Sequence, residues 1–531
     1  MQGFEKPDGF LSVAALAPGL VGKDSVFGCL AGCRDKIFPP EMIDPMFAPR
    51  CKAGQPSVPG PVMCSVLLLQ ALFGLSDRAT VDMLTYDLRW KAACGFGIDQ
   101  VGFHHTTLAY WRFRIAASDN PRLIFDAVTR IVDQCGVIKV KHRRVVDSTI
   151  IDDAVARQDT YKLLIWQIAK IGEDFPQLAP GIDHLPGGGW YRERLRPDID
   201  WTSKGAKNDL VSVLVNDALT VVGWAQDEIG KLDVADPVRG FLEDEVGLLG
   251  VLAGQDVEPA PGSDGTDGRW RIATKTARDR IVSVVDTQTR HIRKTSQNKH
   301  DGFKAHMVAE PDTGLVVASL VSKGCGDGSS DAACGIVMVG ADPGVVDGSV
   351  VEVQGDSAYG SAAMLAALDK VGVEAVIKPR PLLTAVEGGY SLDDFQVNGD
   401  GTITCPGGYK ASRDKNGRAS FTSWCLKCPL RPNCTKAKKG RVVVIKDEQL
   451  RLRRHRVDAA DNEYKTRLRQ YRPMAERSIA WLTRAGRRSP YRGIMKTDAW
   501  WGMRAAGVNL KRLLALGLVF SNGAWVLVPP G

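Results

Sequence analysis

The run Lys141-His142-Arg143-Arg144-Val145-Val146-Asp147-Ser148-Thr149 enters a short strand from a basic turn and reaches an acid near the end of its apolar pair. β-branched residues in such a run favour extended chain. The same pattern returns at residues 349–354, an apolar segment that stops at Gly355-Asp356. Between the two, Phe303-Lys304-Ala305-His306-Met307-Val308 alternates in character. Pro311-Asp312-Thr313-Gly314 then makes a turn before the apolar run 315–321, so a hairpin is predicted. Residues 281–285 and 373–377 read as further strands, the latter ending at Lys378-Pro379-Arg380, and 362–370 as a helix. The region mixes antiparallel strands with helices on a sheet, the pattern of an α+β core.

Upstream, residues 1 to about 136 read as helices. Segment 62–73 is largely apolar, Gly74-Leu75-Ser76-Asp77 supplies a turn and an N-cap, and 80–93 keep helical spacing. His104-His105-Thr106-Thr107 caps a helix carrying Leu108, Trp111 and Phe113. Downstream of the first strand, 159–170 reads as a helix and 171–200, rich in Pro and Gly, as loop. Residues 207–249 are helical in pattern, and 254–268 form a polar linker. Gly187-Gly188-Gly189 lacks a following Lys-Ser/Thr, which excludes a nucleotide phosphate loop.

The 531 residues exceed one ordinary core, so two to four domains are expected. Met1-Gln2-Gly3-Phe4-Glu5-Lys6 is no signal peptide, and the apolar stretch 65–75, broken by Gln70, is too short to span a bilayer. A cytoplasmic, nucleoid-associated protein without a membrane partner is expected. The net charge of +8 conceals an asymmetry: residues 431–520 hold 23 Lys or Arg against 7 Asp or Glu, a surplus of 16, which leaves −8 elsewhere. Such a block suits a polyanion, with Lys and Arg supplying phosphate contacts that carry no sequence preference.

Asp147 and Asp356 fall at strand ends, and Glu476 in a helical stretch, 473–484. There Ala475, Ile479 and Leu482 make an apolar face and Pro473 suits a first turn. Three carboxylates converging from separate elements can hold two Mg²⁺ or Mn²⁺ ions, which prefer hard oxygen ligands and serve phosphodiester chemistry. Spacing alone leaves Asp152 and Asp153 competing with Asp147, and Asp347 and Glu352 with Asp356.

The chain resembles the DDE transposases of bacterial insertion sequences, in the branch with a helical N-terminal domain and a cysteine-bearing insert. The resemblance runs through Val145-Val146-Asp147-Ser148-Thr149, His300-Asp301-Gly302-Phe303-Lys304-Ala305-His306 and Gly328-Ser329-Ser330-Asp331. It continues through Gly355-Asp356-Ser357-Ala358-Tyr359-Gly360, Tyr471-Arg472-Pro473-Met474-Ala475-Glu476-Arg477, Tyr491-Arg492-Gly493 with Lys496, and Asn509-Leu510-Lys511-Arg512. Near the N-terminus, Phe73-Gly74-Leu75-Ser76-Asp77-Arg78 and residues 90–95 also match. It implies a ribonuclease-H-like core, five-stranded, with Asp147, Asp356 and Glu476 as the catalytic metal ligands. Arg143, Arg144, Lys304, Lys378, Arg472, Arg477, Arg484 and Lys496 would hold DNA. A related signature has a Tyr three before the Arg and a Lys seven after the Glu; here Arg469 and Thr483 stand there.

Four of the twelve cysteines cluster: Cys405, Cys425, Cys428 and Cys434. A Cys-x2-Cys pair with two more distant thiolates suits structural Zn²⁺; an iron–sulfur cluster or an ordinary loop are the alternatives. The surrounding Lys, Arg, Pro and Gly look too polar for a core, so a metal crosslink would keep the segment ordered.

The expected organisation is an α+β multidomain chain. A helical DNA-binding domain spans 1–136. The first part of the core spans 137–385 and is interrupted by a helical insert at about 170–270. The cysteine-bearing insert spans 386–440, and 441–531 complete the core with the catalytic helix and basic C-terminal helices. Expected partners are double-stranded DNA, as terminal inverted repeats and as target, and a second copy of the chain in a homodimer or larger assembly. A metal nuclease without strand transfer, a non-catalytic transposase-derived DNA-binding protein and a zinc-containing RNA-binding factor are the rival readings.

Overall fold

In the computed structural model, which describes residues 12–47, 57–138, 142–275, 277–293 and 297–528, the decisive run forms one strand, β1 (His142–Asp152). Met1 to Lys6, Cys51 and Lys141 lie outside the described residues. Successive side chains of a strand alternate between faces. Val145 and Ile151 accordingly join one hydrophobic cluster and Val146 another. Asp147 shares the first face and Ser148 the second.

Five strands surround β1: β2 (Arg290–Arg293), β3 (Lys299–Ala309), β4 (Val316–Lys323), β5 (Val350–Gly355) and β6 (Glu374–Ile377). The order across the sheet is β4-β3-β1-β5-β6, and β2 pairs with the start of β3. β3 runs antiparallel to β1 and β4, whereas β1, β5 and β6 are parallel. The sheet thus has six strands, one more than the sequence predicted. Residues 281–285 are not a strand, because side chains claim their backbone: Gln255 takes the Ile281 N–H and Gln158 that of Val284. Gly302 (φ 155°) lies tight against β1; a Cβ there would lie 2.0 Å from the Ile151 carbonyl oxygen. That close approach gives the Gly of His300-Asp301-Gly302 a physical reason.

Five helices shape the surroundings of the sheet: α1 (Gly60–Phe73), α2 (Thr160–Asp174), α3 (Asp331–Gly340), α4 (Asn462–Thr483) and α5 (Ile494–Ala515). α4, α5 and the N-terminal helices share one core with the first face of the sheet; α3 and the helix Ala362–Lys370 cover the second. α1 is buried almost throughout, which explains its apolar composition. Among the described residues no single helix is long and apolar enough to cross a membrane. Pro473 lies inside α4 and not in its first turn: Asp461 caps the helix by accepting the N–H groups of Glu463 and Tyr464.

The helical insert has its own core and begins at α2, about ten residues earlier than predicted. The expected loop 171–200 holds two short helices, Ala179–Asp183 and Gly188–Glu193, and the expected linker holds one strand of the hairpin Val257–Pro259 with Trp270–Ile272. The cysteine-bearing segment also has a core, around Phe395, Ile403, Phe421 and Val443, with two small sheets. This overturns the expectation that it is too polar to pack. Near the end of the described residues stands an unanticipated hairpin, Leu518–Ser521 with Ala524–Leu527.

Candidate active site

β1 and β5 pair in register as far as Val145 with Gln354. β5 ends at Gly355, and Asp356 follows it, near enough for its charge to act on Asp147. Burial raises the Asp147 carboxyl above its usual range; Arg472 opposes the shift and the charge of Asp356 adds to it. Asp147 Oδ2 accepts from Arg472 Nη2 at 3.0 Å, and Oδ1 from its neighbour's Ser148 N–H at 2.8 Å. Asp356 is fixed by the turn it starts, accepting the Ala358 N–H at 2.9 Å. Beneath both, Tyr359 is fully buried, its phenol driven far above the ordinary range by burial and then by Asp331, Asp147 and Asp356.

Glu476 is exposed on α4, one turn past Arg472 and on the same side of the helix. Arg472, not Glu476, is the α4 side chain that touches Asp147. Arg472 therefore meets Asp147, and Asp356 lies near enough for its charge to act on Asp147. Among the described residues, no group of three or more His, Cys, Asp or Glu side chains is arranged to hold a metal ion.

The second face of β1 carries a polar cluster that sequence reasoning did not assemble. Asp331 accepts from Ser148 Oγ at 2.6 Å and from Lys304 Nζ at 3.1 Å, and His306 Nδ1 lies 3.7 Å away. Although burial disfavours its charge, Lys304, Ser148 and His306 hold Asp331 below the usual carboxylate range. Burial keeps the enclosed His306 imidazole neutral. Gly328-Ser329-Ser330-Asp331 was the available signal, with Ser330 capping α3.

The expected DNA contacts divide. Lys378, Arg477, Arg484 and Lys496 are exposed, and Lys378 is tied to the site because its N–H bonds the Gly355 carbonyl at 3.0 Å. Arg143 leans on the Tyr471 ring and bonds Glu352 at 3.4 Å. Lys304 is committed to Asp331. Arg144 is a correction: it is 3% exposed and paired with Asp342 at 2.5 and 3.1 Å, because an odd separation from Asp147 turns it to the other face. Two arginines were missed. Arg380 braces the turn after Asp356 through the Ser357 and Ala358 carbonyls, and Arg487 bonds Thr149 Oγ1 at 3.2 Å. Of the competing acids, Glu352 is buried against Arg467 and Arg143, and Asp152 bonds His300.

Cys405, Cys425, Cys428 and Cys434 line one small cavity with Phe395, Phe421 and Trp424. Burial pushes the Cys434 thiol up; the nearby Arg441 opposes, and the other three thiols add to the rise.

Residues 404–514 match the family model of the transposase DDE domain, and residues 34–114 that of a second transposase domain. Two stretches of the chain are thus similar to transposase domains. The DDE-domain match takes in Glu476, Arg472 and the four clustered cysteines, and the other takes in α1; neither reaches Asp147 or Asp356. Transposase domains of this kind imply interaction with DNA. No curated protein and no solved structure matches the chain.

Proposed function

We propose that this chain is a DNA transposase that cuts the ends of its element and joins the freed 3′-hydroxyls to target DNA, with Asp147, Asp356 and Glu476 as its catalytic carboxylates. The observation that carries the reading is the nearness of Asp147 on β1 to Asp356 just past the end of β5, with Arg472 of the helix that bears Glu476 bonded to Asp147. The strand order β4-β3-β1-β5-β6 with an antiparallel β3 supports a ribonuclease-H-like core.

The donor set fits hard divalent cations. A carboxylate whose ionisation burial and a neighbouring acid make costlier, as at Asp147, is relieved by a cation beside it. Asp147 and Asp356 would hold Mg²⁺ or Mn²⁺, and Glu476, exposed at the rim, would complete the set. When bound, paired ions supply activation of a water or 3′-hydroxyl and stabilise the leaving oxygen. Without them, Arg472 supplies the balancing charge to Asp147 and orients its Oδ2. Arg477, Arg484, Lys378 and Lys496 present exposed cations that would hold the DNA backbone. Cys405, Cys425, Cys428 and Cys434 would hold a structural Zn²⁺, thiolate being the donor that ion prefers. Joining two element ends calls for at least two copies of the chain.

The test uses duplexes carrying the DNA that borders this chain's own reading frame, incubated with Mn²⁺. Cut and joined products are expected. Asp356→Asn should lower cleavage more than ~100-fold, beyond the usual effect of losing an outer ligand, and leave binding intact. Hydrolysis without joined product would favour the nuclease; unchanged cleavage by Asp356→Asn would remove the site.

A further inference from the structure

Beyond the carboxyl end of β1 the chain turns through Arg157 into α2, and the insert folds back over it. The result is an open cleft of about 550 Å³. Five cations line it, Arg157, Lys162, Arg196, Lys275 and Arg280, against two carboxylates, Asp159 and Asp256. Both acids are already engaged. Asp159 caps α2 through the Lys162 N–H at 2.9 Å and faces Arg196 at 3.6 Å. Asp256 accepts from Thr160 Oγ1 at 2.9 Å and Arg280 Nε at 2.6 Å.

Two independent features point to an anion. The first turn of the fifteen-residue α2 opens on the cleft, with the positive end of its backbone dipole. The second is Arg280, whose side chain is only 7% exposed. Its Nε goes to Asp256 and its Nη2 to the Gln158 carbonyl at 3.4 Å, but Nη1 is buried and has no partner among the described residues. A buried guanidinium nitrogen left unbonded costs stability unless something fills it. An oxyanion in the cleft would do so, with Lys162 and Lys275, both exposed at the rim, closing over it.

We propose that this cleft is a binding site for a backbone phosphate of DNA. The inference rests on the transposase reading, because the position of the cleft argues for DNA over a free anion. Asp147 lies five strand residues before the end of β1, roughly 16 Å at strand rise. A duplex seated on Asp147 and Asp356 and running along β1 would bring a phosphate to the cleft after about half a helical turn or more. Arg157, 3.9 Å from Asp301 at the start of β3, bridges the cleft to the sheet. The cleft would then hold DNA flanking the cut, not the reacting phosphodiester.

The experiment uses the full chain carrying Asp356→Asn, so that binding is read without cleavage, and a duplex series in which single phosphates are replaced by neutral methylphosphonates. Lys162→Glu with Lys275→Glu should weaken binding at least ~10-fold. Reversing two exposed lysines outside the cleft, Lys231 and Lys370, should change it far less. One methylphosphonate, several nucleotides from the cut, should weaken the parent and make little difference to the Lys162/Lys275 variant. Equal losses in both lysine pairs, or an unchanged methylphosphonate profile, would overturn the cleft. Inorganic phosphate raising the melting temperature while the variant binds DNA normally would also overturn it, leaving a small-anion site. Failure of the parent to bind any duplex would strike the transposase reading itself.

Discussion

Asp153, one residue past β1, is buried with Oδ2 unbonded among the described residues. Burial pushes its carboxyl up to about 6 from an ordinary 3.8, with Asp301 and Asp286 adding to the rise and the Val155 N–H and Arg488 opposing it. A carboxyl that binds its proton more tightly when folded stabilises the fold most below the unfolded value. That contribution is lost as pH rises through the folded one. Above pH 6 the charged form therefore costs the fold up to about 3 kcal/mol. Asp153→Asn should melt higher than the parent at pH 7.5, with the advantage shrinking toward pH 4; lower stability at pH 7.5 would mean that the carboxylate is needed. The competition between Asp147 and Asp153, open in the sequence, comes down to surroundings. Acids lie near both, but Asp147 Oδ2 accepts from the Arg472 side chain, whereas Asp153 Oδ2 has no bonding partner among the described residues. Arg144 shows what period-two counting could have given: it stands three residues from Asp147, hence on the other face. The Ser148–Asp331 bond, across 183 residues, had no sequence signal of partnership.

At the scale of elements, β3 to β6 and the helix Ala362–Lys370 were legible because apolar alternation or a β-branched run marked each. α4 was only half legible. Its first eleven residues are mostly polar and charged, so no apolar stripe announced them, and Pro473 looked like a beginning. α5 is buried over most of its length because it is the shared wall of two regions. Asn509 bonds both the N–H and the carbonyl of Val316 at the start of β4 (2.8 and 2.7 Å), and Arg504 reaches the Ala71, Leu482 and Gly486 carbonyls. Asn509, in a family-like stretch near the C-terminus, thus serves packing. The cysteine-bearing segment failed as a sequence reading because its core comes from single aromatic and β-branched residues spread over about fifty positions. Because the segment has a core of its own, zinc is a separate question. Thiols gathered in one cavity, each raising the cost of ionising Cys434, are the arrangement a cation would relieve. The purified chain should carry about one zinc per molecule, and Cys428→Ser, at a half-buried position, should lose it and melt lower. A metal-free parent with an equally stable Cys428→Ser would make the thiols ordinary core atoms.

Over the whole molecule, the basic block at 431–520 is less available than its surplus of 16 implies. Arg453 and Arg456 are spent on Asp393, tying the helix Asp447–Asp458 to the cysteine-bearing segment. Arg467 bridges Glu352 and Glu374, Arg472 holds Asp147, and Arg504 and Arg512 bond carbonyl oxygens. A cation already paired inside the fold releases no counterion when DNA arrives, so charge counted from sequence overstates the grip on DNA. Arg477, Arg484 and Lys496 are exposed, and they succeed Arg472 along α4 and into α5. Replacing these three with Ala should flatten the dependence of log affinity on log salt by ~2 to 3, near 0.9 for each phosphate no longer neutralised. Arg453→Ala with Arg456→Ala should leave that slope unchanged and lower the melting temperature instead, because it breaks an intramolecular tie. If the second pair carried the slope and the first three did not, the DNA would lie across the cysteine-bearing segment, and the surface beside α4 would not be the one that meets it.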